Sequence, residues 1–132
     1  MTMGPSPEYV RRQLQLADEA LDDARYLLEG HRLKGAVNRA YYAMFYAAIA
    51  PLASITSRIP RSHKDAISLF GRHYVLTGKI DRQFATDLRN AYNLRLQSDY
   101  GASTEVREEE IRETIDKAEA FVAEVKRLLN EV

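Results

Sequence analysis

The sequence predicts an all-α protein, an antiparallel up-and-down bundle of about five helices forming one domain over residues 1–132. Three observations carry that prediction. Apolar residues recur at alternating spacings of four and three near both ends of the chain, the period of a helix with one buried face. Between them lies an uncharged aromatic stretch that only a helix buried on several sides can accommodate. Strand-like alternation, internal repeats and low-complexity tracts are absent.

The first helix opens with Ser6 as N-cap and Pro7 in the first helical position, where its missing N–H costs nothing. Val10, Leu14, Ala17, Leu21, Ala24 and Leu28 form its stripe, and Gly30 is the expected stop. The second segment, "LKGAVNRAYYAMFYAAIAPLAS", carries no charge from Ala40 to Ile49. It is expected to be the central helix, or one that also packs on a second subunit, with Pro51 kinking or terminating it. Ser62 is the expected N-cap of a short third helix bearing Ala66, Leu69, Phe70 and Tyr74, which Gly78 breaks. Asp81 then caps a fourth, with Phe84, Leu88 and Ala91 on one stripe and Tyr92 beside it. The last helix repeats Ile111, Ile115, Ala118, Val122, Val125 and Leu129 against a charged outer face.

The stripe of the fourth helix raises a question. Its next position is Arg95, with Asp99 one turn on and Tyr100 immediately before Gly101. Arg95 and Asp99 stand at i,i+4, the spacing of a charge-assisted pair. Asn38 and Tyr42 lie one turn apart on the second helix with Arg39 beside them. Ser62, His63 and Lys64 open the third, where free backbone N–H groups favour an anion. Each feature also has an ordinary structural reading. An Arg–Asp pair at the end of a buried stripe is often an internal clamp, and tyrosines on a buried helix are often core residues with hydrogen-bonded tips.

Composition removes other chemistries. There is no cysteine, hence no disulfide or thiolate chemistry, which suits a reducing compartment. No apolar run approaches a membrane span and no signal-peptide pattern opens the chain, so a cytoplasmic location is expected. Glu-x-x-His pairs are lacking, the histidines at 31, 63 and 73 do not have zinc spacing, and no phosphate loop or dinucleotide fingerprint is present. No metal or cofactor is expected. Formal net charge is zero, yet residues 31–100 carry eleven basic and four acidic side chains between two acidic arms. That asymmetry marks either an anion-binding face or arms that neutralise the middle by packing beside it.

Three strings, in order, resemble the HEPN family: "NRAYYAMFYAA" (38–48), "RSHKDAISLFGRHYVLTGKI" (61–80) and "RLQSDYG" (95–101). The resemblance covers roughly residues 10–125 and lies with the small prokaryotic branch. It implies a dimerising helical bundle, often paired with a minimal nucleotidyltransferase in a toxin–antitoxin module. Many members are metal-independent ribonucleases whose arginine is followed, after four to six residues, by a histidine. The histidine moves a proton while the arginine steadies charge on the phosphate. Here four residues follow Arg95 and then comes Tyr100, and Arg89 has no histidine at that distance either. A phenol of ordinary pKa about 10 is a poor base at pH 7.

The resulting expectation is a homodimer that binds a nucleotide or RNA, with weak or no nuclease activity. Arg95 and Tyr100 are its expected reactive pair, in a cleft with Arg39, Tyr42, Asp99, His63 and Lys64. Tyr100 is also the hydroxyl a partner nucleotidyltransferase would modify, since tyrosines of this region are nucleotidylated in some members. Two alternatives stand beside it. One is an endoribonuclease using Arg95 with a non-standard acid–base partner; the other is a helical adaptor that only dimerises.

Overall fold

The computed structural model describes residues 7–55, 60–100 and 106–130. Five helices fill them: α1 (Pro7–Glu29), α2 (Leu33–Ile55), α3 (His63–Phe70), α4 (Arg82–Tyr100) and α5 (Glu108–Leu128). The described residues contain no strand, so the all-α bundle expected from the sequence is what forms.

α2 is the centre. It packs on α1, α3, α4 and α5, which is why it can do without charge. Tyr41, Met44, Phe70, Leu88, Phe121 and Val125 belong to the larger core, and Ala24, Leu28, Val37, Ile111 and Ile115 to a smaller one. The stripes read from α1 and α5 are the buried ones, with Phe121 added and with Val10 and Leu129 half-buried at the ends. α1 and α2 approach closely at Gly35, where a Cβ would stand 3.1 Å from a Leu27 methyl. In α5, Glu108, Glu109 and Glu110 occupy the first turn and Lys126 and Arg127 the last, matching the helix dipole.

Two expected caps are in place. The Asp65 N–H donates to Ser62 Oγ at 3.0 Å, and the Gln83 N–H donates to Asp81 Oδ1 at 2.8 Å. Ser6 and Gly101 lie outside the described residues. Three local expectations differ. α1 stops at Glu29, but the left-handed residue that turns the chain is His31 (φ 58°), one past Gly30. The Arg32 N–H donates back to the Leu27 carbonyl and the His31 N–H to that of Leu28, a Schellman closure. Pro51 does not terminate α2, which runs on to Ile55, and the Pro51 carbonyl accepts the Tyr74 hydroxyl at 2.8 Å. Nor does Gly78 directly end α3. After Phe70 the chain widens into a π-helical turn, Gly71–Val75, and then bends through Gly78 (φ +77°).

The charge asymmetry resolves in one direction. Arg25 meets Glu119 at 2.7 Å and Lys126 meets Asp18 at 2.8 Å, so the acidic arms pair with each other. Among the described residues, no lysine or arginine of the basic middle reaches a carboxylate of either arm.

Candidate functional site

The site is assembled by three helices around one imidazole. Ser62 caps α3, so His63 is fixed at that helix's first position and its ring is carried against α2 and α4. There Tyr41 Oη lies 2.6 Å from Nδ1, while Tyr42 Oη stands 3.5 Å from Nε2, the outer limit of a hydrogen bond. The Phe45 ring packs on the imidazole at 4.4 Å between centroids, and Tyr92 of α4 stacks on it at 6.1 Å. Tyr41, fully buried, touches Tyr42, Phe45 and Tyr92 as well.

Arg95 enters from α4. Its guanidinium carbon lies 5.6 Å from the Tyr41 ring centre and 5.7 Å from that of Tyr42, over faces that attract a cation. Nε donates to Asp99 Oδ2 at 3.3 Å. The side chain is only 17% exposed, and the two terminal nitrogens have no protein partner among the described residues. No fully buried side-chain nitrogen or oxygen among the described residues lacks a partner, so those two nitrogens are not wholly sealed from solvent. They present donors in a planar fork, the geometry that grips a phosphate or carboxylate. On the other side of Tyr42, Arg39 lies 4.9 Å from the ring centre, steadied by the Asn38 side-chain carbonyl at 3.0 and 2.9 Å.

The electrostatics follow from burial and from Arg95. Burial pushes the Tyr41 phenol well above its usual range, against the pull of Arg95, so it is neutral at any ordinary pH. Burial, then the Arg95 charge, hold His63 below its usual 6.5, leaving the imidazole neutral at pH 7. A phenol oxygen both donates and accepts, so Tyr41 supports either tautomer. With the proton on Nδ1 and donated to Tyr41, Nε2 keeps a free lone pair.

Of the residues expected from the sequence, Arg95, Asp99, Tyr42, His63 and Arg39 converge. Tyr100 does not. Five positions past Arg95 it points about 140° away around the helix, and it is 78% exposed. Lys64 also turns aside, into an open groove between α3 and α4. Tyr41, Phe45 and Tyr92 join the cluster without being among the residues expected from the sequence. The i,i+4 spacing of Tyr41 and Phe45 was the available signal, but it reads equally as core. No group of three or more histidines and carboxylates that could hold a metal occurs among the described residues.

This geometry accompanies a family match. The HEPN domain profile matches residues 10–128, and the chain belongs to that family. It is 36% identical over 125 residues to a UPF0332 protein of Thermotoga maritima, covering 95% of this chain and 92% of the relative. It is 35% identical over 126 residues to a protein of Methanocaldococcus jannaschii named as a candidate toxin, with the same coverage of each chain. A second candidate toxin of that organism is 28% identical over 121 residues, covering 91% of this chain and 81% of the relative. Among the described residues, no helix is long and apolar enough to cross a membrane.

Proposed function

We propose that this chain is a toxin-like HEPN protein that holds the phosphate of a nucleotide or RNA in the Arg95–His63 cleft. One observation carries the reading: a mostly buried arginine whose Nε is anchored while neither terminal nitrogen has a protein partner among the described residues. An internal clamp would use those nitrogens; a phosphate receptor leaves them free. Around them, half-buried aromatic rings provide faces for a base.

The reading includes a homodimer. Tyr42, Phe45, Tyr46 and Ile49 form a half-exposed apolar stripe on α2, directly beside the cleft. Pairing two such stripes would cover apolar surface and set two Arg95 side chains near each other. Tyr100, exposed at the end of α4, suits modification by a partner nucleotidyltransferase of a two-gene module.

A second reading gains from the placement of His63. The family's histidine is missing from α4, yet α3 brings a neutral imidazole against the same tyrosines that Arg95 covers. In a ribonuclease, His63 would take the proton of a ribose 2′-hydroxyl as that oxygen attacks phosphorus. Arg95 would hold the phosphate oxygens as the 5′-oxygen leaves and takes up a proton from solvent.

Fluorescence anisotropy of a labelled oligouridylate and of labelled AMP, with metal chelated, tests the binding reading. Saturable binding that falls at least tenfold in Arg95→Met supports it, and unchanged binding in a folded variant refutes it. Gel analysis of the same RNA separates the two readings. Cleavage that is lost in both Arg95→Met and His63→Asn selects the nuclease. Sedimentation of wild type against Tyr46→Glu tests the dimer.

A further inference from the structure

A second surface lies outside the cleft. α3, the π-helical turn and the start of α4 enclose an open groove of about 680 Å³. Lys64, Arg72, Arg82 and Arg89 line it, and no carboxylate does. All four cations are exposed, and none has an ion-pair partner among the described residues. Elsewhere some exposed charges are matched, as in the pairs that tie α1 to α5, while Arg32, Lys34 and Lys79 of the middle segment stand exposed without an ion-pair partner among the described residues. The groove is distinguished by gathering four such cations around one concavity.

Its floor is apolar. Val75, half-buried, forms part of it, and Leu76, 83% exposed, stands at the rim. Cations alone would suit any polyanion, but a leucine rim offers nothing to a ribose-phosphate chain and much to a protein side chain. Arg82 and Arg89 stand seven positions apart, two turns of α4, so their heads line one side. A helix laid along the groove would present carboxylates to that row at the same spacing while its apolar face met Val75 and Leu76.

We infer that this groove docks an acidic amphipathic helix supplied by a different protein. A second copy of this chain does not fit the role. Its acidic helices, α1 and α5, spend their apolar stripes on their own core and have none to offer. Charge complementarity sets the approach and register of the partner, and the leucine contact adds the apolar burial. The groove borders the phosphate-binding cleft at Tyr92, which lines the one and stacks on His63 in the other, but its four cations are not those that hold the phosphate.

The test uses the full chain and three labelled probes in fluorescence anisotropy. These are a synthetic helix with leucines on one face flanked by glutamates, the same peptide with lysines for glutamates, and an oligouridylate. The glutamate peptide is expected to bind saturably and to weaken at least tenfold in Arg82→Glu/Arg89→Glu. The lysine peptide is expected to bind that variant better than wild type, which a merely unfolded variant could not produce. Gly71→Trp supplies a steric plug. Gly71 has ordinary helical backbone angles and open space where its Cβ would be, so the ring would occupy the groove without disturbing the core. Loss of peptide binding in a Gly71→Trp protein of unchanged helicity supports the site. Three results would overturn it: no saturable binding of the glutamate peptide, binding indifferent to the plug and to charge reversal, or an oligouridylate that uses these cations while the peptide does not.

Discussion

Replacing Tyr41 with Phe isolates the contact that fixes His63. The ring stays, so the apolar packing of a fully buried side chain is kept, and only the hydroxyl 2.6 Å from Nδ1 is lost. Phenylalanine leaves no orphaned oxygen behind; the unsatisfied group is His63 Nδ1 alone. A net hydrogen bond contributes roughly 0.5–1.5 kcal/mol, and a stranded buried donor or acceptor costs about 1–3 kcal/mol. Because His63 is half-buried, water can partly replace the phenol, while the phenylalanine no longer desolvates a hydroxyl. The expected loss is about 1 kcal/mol. For a chain of this size that lowers the unfolding midpoint by roughly 4 °C. Urea denaturation followed by circular dichroism measures the difference. A variant as stable as wild type, or more so, would show that the phenol does not hold the imidazole in place.

Other consequences follow from the same contacts. The folded state keeps His63 below the unfolded value of 6.5, so its contribution to stability is complete above pH 6.5 and declines as pH falls through 6.5 toward the folded pKa. The His63 ring resonances should titrate below 6.5 in wild type and move up in Arg95→Met, which removes one of the two causes. No movement would mean that the guanidinium is not near the ring. His31→Gly should stabilise by about 0.5–1 kcal/mol in denaturant titration, since an L-residue no longer occupies the left-handed region and only an exposed contact to Glu108 is given up. Ser62→Ala should cost about 1 kcal/mol by the same assay and raise amide exchange at Asp65, the N–H that loses its acceptor.

Much of the fold was legible because a helix buried on one face writes its period into the sequence. The stripes of α1 and α5, the uncharged centre of α2 and the caps at Ser62 and Asp81 all follow from local rules. What escaped depends on contacts those rules do not see. Pro51 continues α2 because packing around its fully buried ring offsets the backbone hydrogen bond to Ala47 that it cannot donate. The turn after α1 falls on His31 rather than Gly30 because closure onto Leu27 and Leu28 sets the register. The site was half visible. Arg95 and Asp99 announced themselves by breaking an apolar stripe, and Arg39 and Tyr42 by their place on the aromatic helix. That His63 stands with them could not be read from spacing, since α3 and α4 are brought to α2 only by the folded bundle. Tyr100, adjacent to Asp99 in sequence, leaves the cluster for the simple reason that successive helical residues point 100° apart.

The central claim is that the Arg95 fork and the His63 imidazole form one phosphate-binding cleft, and nuclear magnetic resonance titration tests it most directly. Titrating the protein with AMP and then with oligouridylate should shift the His63 and Tyr42 ring signals saturably, and Arg95→Met should abolish both responses while its spectrum stays folded. Shifts confined to other surfaces, or undiminished in Arg95→Met, would contradict it.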